Sequence, residues 1–85
     1  MSDKAKLEYQ VWIAVKRERA ALLNEKFGYI PCEFCKIAVN HGAIPDGHHN
    51  DHNRRHNILS NCRLLHRTCH THIHDQNIKD VPSLL

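Results

Sequence analysis

Two pairs of metal-ligating residues share one spacing: Cys32 and Cys35 are separated by two residues, and so are His66 and Cys69. Together they offer the four soft or borderline donors that tetrahedral zinc prefers. A short knuckle lets both donors of a pair reach one ion, and closing the chain between the pairs makes binding energy part of folding energy. This spacing predicts a structural zinc site. The remaining cysteine, Cys62, could replace His66 or Cys69 as a ligand; its place beside Leu64 and Leu65 assigns it to the core, where a free thiol packs as a small hydrophobe.

The chain has nine histidines, and all but His41 lie between His48 and His74, more than one zinc site uses. On a helix, His70 and His74 stand one turn apart on the same face and can share an ion. The adjacent His48 and His49 can add a third nitrogen and a group facing away. A site of three imidazoles leaves coordination positions open, as a catalytic metal requires and a structural one does not. The competing reading is a polar helix face that carries exposed histidines. From His52 to His74 there are also four arginines, Arg54, Arg55, Arg63 and Arg67, and no Asp or Glu. That run reads either as a phosphate footprint or as a solvated basic loop.

These groups need elements to hold them. From Asp3 to Phe27 there is no Gly or Pro and most residues favour helix, until Gly28 stops it. Leu7, Val11, Ala14 or Val15, Leu22 and Phe27 form the expected buried stripe, with Lys4, Lys6, Lys16, Arg17, Arg19 and Lys26 between them. This reads as a covering helix, with a DNA-backbone helix as the alternative. A β-hairpin is expected at the Cys32–Cys35 knuckle, with a turn at 40–42. A further turn or bulge is expected at 45–47, then a loop from Asn57 returning to a short strand that ends at Leu65. A second helix is expected from Thr68, as N-cap, to about Asn77, with Ile73 inward. Pro82 bars its continuation, so the tail of 80–85 is expected along the surface.

Eighty-five residues make one domain, and a chain this short buries only about 60% of its unfolded surface, so a staple is expected. With 41% hydrophobic and 25% charged residues it is neither disordered nor low-complexity. No segment reads as membrane-spanning or as a signal peptide, which places the chain in the cytoplasm, where thiols stay reduced. The net charge of +3 permits an anionic partner without requiring one.

With CEFC at 32 to 35 and HHNDHNRRHNILSNCRLLHRTCHTHIH from 48 to 74, the sequence resembles the HNH endonuclease family. The resemblance implies an α+β fold: a small zinc-stabilised treble-clef, or ββα-metal, core over 29–79, with residues 1–28 as an N-terminal covering helix and 80–85 as a tail. It implies His49 as general base, Asn61 as the residue that holds the loop and strand together, and His70 as a metal ligand. His48 falls where the family has an Asp, Glu or His ligand, and His74 matches the extra helix histidine of the colicin-like branch. His66 stands where the family commonly has Cys. The implied activity is hydrolysis of DNA phosphodiesters with one catalytic divalent ion, magnesium, manganese, nickel or zinc, beside the structural zinc. Arg54, Arg55, Arg63 and Arg67 would contact DNA phosphates. Cleavage would be weakly specific or targeted by a larger partner protein, duplex breaks would need a homodimer or two successive cuts, and the resemblance implies a bacterium or a phage-infected cell. The alternatives are a non-catalytic treble-clef module that binds nucleic acid or protein, and a histidine-rich metal buffer. No role is assigned to His41, and His52, His56 and His72 are expected to be exposed.

Overall fold

Ser2 opens the first helix, its side chain accepting the Ala5 N–H at 3.2 Å. Helix α1 then runs over Asp3–Phe27 and ends where Gly28, at φ 79°, turns left-handed and donates its N–H to the Asn24 carbonyl. The chain is seen in a computed structural model that describes residues 2–39 and 45–85. After α1 come strand β1 (Asp46–His49), a 3-10 turn (Leu59–Asn61), strand β2 (Cys62–Leu65) and helix α2 (Arg67–Asp75). This is a small α+β fold with one two-stranded antiparallel sheet. Residues 40–44, with the expected turn and His41, lie outside the described residues.

The sheet pairs Asp46 with Leu65, Gly47 with Leu64, His48 with Arg63 and His49 with Cys62. Side chains alternate across a strand, and here both faces are covered, so all four residues of β2 are buried. On one face Cys62 and Leu64 pack with Leu23, Trp12 and Val15 of α1. On the other, Leu65 packs with Cys32, Ile73 of α2 and Val81. Cys62 is thus a core residue, and burial pushes its thiol up to about 11. Asp46 and Gly47 are strand residues and not the expected turn. A Cβ on Gly47 would lie 3.1 Å from the Trp12 ring and closer still to the Lys16 side chain. Only glycine lets α1 cross the strand this closely.

The buried face of α1 differs from the expected stripe. Leu7, Val11 and Phe27 are exposed, while Leu23 and Arg19 are buried. Arg19 pairs in bidentate fashion with Glu33, at 2.6 Å from Nε to Oε1 and from Nη2 to Oε2. Glu33 also accepts the Leu64 and Leu84 N–H groups, and Arg19 donates to the Leu59 carbonyl and the Ser83 hydroxyl. One ion pair therefore ties together α1, the cysteine knuckle, β2 and the tail. Apolar periodicity assigns arginine to solvent, and so misses a face that turns on a buried cation.

Three further expectations change. Among the described residues the hairpin at the knuckle is a single bridge, Pro31 with Ala38, across a turn in which Lys36 has φ 68°. The N-cap of α2 is His66, not Thr68. The tail is part of the core: Val81 is buried, its carbonyl accepts from Arg63 Nε at 2.6 Å, and its N–H donates to Asn50 Oδ1 at 2.7 Å. Among the described residues, no helix is long and apolar enough to cross a membrane.

Candidate metal centres

The knuckle and the start of α2 bring Cys32, Cys35, His66 and Cys69 together, with one ligand atom of each within 4.8 Å of the others. These four residues are positioned to bind a metal. His66 Nδ1 lies 3.4 Å from Cys35 Sγ and 3.8 Å from Cys69 Sγ. Its Nε2 faces the Ala38 carbonyl at 3.2 Å; a carbonyl only accepts, so Nε2 holds the proton and the Nδ1 lone pair points at the thiols. The Cys32 thiol is held down to about 7: burial works against this, and backbone N–H groups of Cys35, His66 and Phe34 outweigh it. Burial, followed by hydrogen bonds from Cys32 and Cys35, pushes Cys69 up to about 12. Three thiols and one imidazole lone pair crowded in this way suit an ion that draws off the thiol protons, and the donor set is consistent with structural zinc.

Alternation along β1 sends His48 and His49 to opposite faces. His48 faces α2 and is buried, its ring centroid 5.1 Å from that of His70 and 5.4 Å from that of His74. His70 and His74, one helical turn apart, bring their Nε2 atoms within 3.1 Å. One nitrogen from each of the three rings lies within 4.8 Å of the others. His48 Nε2 is buried with no hydrogen-bond partner among the described residues, an omission that ordinarily costs about 1–3 kcal/mol. His70 Nδ1 faces Asp46 Oδ2 at 3.2 Å, an arrangement that puts the proton on Nδ1 and leaves Nε2 bare. Burial and then the neighbouring His70, His52 and His74 drive His48 down to about 4, and burial with His70 lowers His74. These two rings are therefore neutral at pH 7, the form that binds metal. An orphaned buried nitrogen, a carboxylate behind a second ring and neutral imidazoles together fit a divalent ion.

His49 faces α1. Its ring stacks on Trp12 with centroids 3.7 Å apart and planes 14° from parallel, and its Nε2 lies 2.7 Å from Asn57 Oδ1. His49 nevertheless reaches the cavity of the histidine cluster, about 380 Å³, which Arg54 and His52 also line. His52 holds its place at the rim with φ 62° and with Nε2 on the Ile78 carbonyl at 3.2 Å. Asn61 locks the loop between the strands. Its Oδ1 accepts the Asp51 N–H, and its Nδ2 donates to Asp51 Oδ1 and the His56 carbonyl. Asp51 is held down to about 2, chiefly by the Asn53 N–H and then by His56 and Asn61. His56 and His72 are exposed, His56 pairing with Asp51 at 2.7 Å and His72 lying against Phe34.

Arg63 departs from the expected phosphate contacts. It is buried opposite His48, and its donors go to the carbonyls of Val81, Ser60 and Cys62. Arg54, Arg55 and Arg67 are exposed. Asp46, Trp12 and Asn57 belong to the site and escape the sequence reading. Asp46 carried a signal: two residues before His48 on a strand, it must share that face. Trp12 and Asn57 carried none, since only tertiary packing joins them to His49. Comparison with protein-family models, with curated proteins and with solved structures found no match to this chain.

Proposed function

We propose that the protein is a metal-dependent DNA endonuclease of the HNH type, built on a treble-clef, or ββα-metal, frame held by structural zinc at Cys32, Cys35, His66 and Cys69. The observation that carries this reading is the convergence of His48, His70 and His74 beside His49 in one open cavity. His48, His70 and His74 would hold a divalent ion, which when bound supplies an electrophile for the phosphate and for the departing 3′-oxygen. His49 lies outside that trio and takes the proton of the attacking water, a task for which histidine is suited near neutral pH. Asn61 keeps β1 and the following loop in register, so that His49 stays at the cavity. Arg54 borders the cavity, and with Arg55 and Arg67 it grips flanking phosphates, which positions the strand without reading its sequence.

Such contacts make cleavage fall steeply with salt. The test is supercoiled plasmid incubated with protein that carries one zinc per chain, to which magnesium, manganese, nickel or zinc is added in turn. Nicked or linear product with at least one ion is the expected result. Inactivity of folded protein across all four ions would favour a nucleic-acid- or protein-binding module.

A further inference from the structure

His49 is gripped from two sides by residues outside the histidine cluster. Trp12 of α1 lies flat against its ring at 3.7 Å, and Asn57 presents Oδ1 to its Nε2 at 2.7 Å. The Asn57 amide is itself oriented by α1, because its Nδ2 faces the Glu8 carbonyl at 3.5 Å. A carbonyl can only accept, so Nδ2 is the donor there and the oxygen is turned to the histidine. An amide oxygen likewise only accepts, so His49 Nε2 must carry the ring proton. The lone pair then sits on Nδ1, which has no hydrogen-bond partner among the described residues.

We infer that Trp12 and Asn57 are positioning residues, through which helix α1 fixes both the plane and the tautomer of His49 so that Nδ1 is its basic atom. This deepens the nuclease reading and rests on it for its purpose, though the placement of the ring can be tested alone. The consequence is that α1 is more than a cover for the sheet: its first half completes the site. Stacking holds the plane of the ring without competing for either nitrogen, and the amide blocks the wrong one. A neutral imidazole free to turn or to exchange tautomers would present N–H to the water for part of the time, and so could not accept its proton.

The test is two-bond proton–nitrogen correlation of the His49 ring in zinc-loaded protein, at a pH where the ring is neutral, together with plasmid cleavage. Wild type is expected as the Nε2–H tautomer. Asn57→Asp, which still accepts, should keep it. Asn57→Leu should lose it, with kcat falling about 10²-fold at unchanged KM, the scale expected when a reacting group is misplaced by about 1 Å. Trp12→Phe should retain the stack and the rate, and Trp12→Ala should lower kcat in the same way. An Nδ1–H tautomer in the wild type overturns the inference, whatever the variants do. So does Asn57→Leu with tautomer and kcat unchanged. A wild type that shows the Nε2–H tautomer, lost in Asn57→Leu, but cuts no DNA under any ion supports the positioning and sinks the nuclease.

Discussion

A histidine buried among other histidines is a poor base and a good ligand, and His48 has that environment. Burial and then the neighbouring imidazoles of His70, His52, His74 and His49 hold it down to about 4 from an ordinary 6.5. Between those values the unfolded chain binds the proton and the folded one does not. Its share of stability is thus complete above pH 6.5 and is lost as pH falls toward 4. In protein freed of loosely held divalent ions, the His48 ring should titrate near pH 4 by NMR; a midpoint near 6.5 would show that the ring is not enclosed as described. At this scale the sequence was informative where chemistry depends on spacing. Cys32, Cys35, His66 and Cys69, and separately His70 and His74, are close in sequence within each pair, and the fold brings the pairs together. It was silent where a role depends on packing, as with Trp12 and Asn57 beside His49. It misled at Arg63, because a positive charge reads as a phosphate contact until its donors are seen to be used by backbone carbonyls.

Elements follow the same division. The limits of α1 could be read from the absence of Gly and Pro and from Gly28, but its inward face could not, since that face turns on Arg19 and Glu33. Buried ion pairs hold charge at a desolvation cost, so removing one partner is worse than removing both. Arg19→Ala or Glu33→Ala should each cost about 3–5 kcal/mol in denaturant unfolding of zinc-loaded protein. Arg19→Met combined with Glu33→Leu should cost much less than the sum of the two single changes. Additive losses would mean that the two side chains act independently. The start of β1 reads as a turn or bulge in the sequence because Pro45, Asp46 and Gly47 are turn formers. Tertiary packing overrides that preference: Gly47 is needed where Trp12 and Lys16 cross, and Asp46 supports His70.

At the scale of the whole molecule, the described residues form two small buried clusters, one on each face of a two-stranded sheet, a modest core for a chain of 85 residues. The thiol and imidazole site joins the knuckle to α2 across the larger gap in sequence, so a metal there should carry much of the folding energy. Chelation that removes this ion should abolish the cooperative unfolding transition, and zinc should restore it; an unchanged transition in metal-free protein would contradict a structural role. A metal at that site would also fix the start of α2, and with it the placement of His70 and His74. In the proposed nuclease, His49 acts on DNA beside a metal it does not bind. This role is tested most directly by single-turnover plasmid cleavage with wild type and His49→Ala, after the metal content of both has been measured. Equal metal content is expected in the two folded proteins, with a rate at least about 10²-fold lower in the variant, the scale of a lost general base. Equal rates, or a variant that loses the ion of the second centre, would contradict it.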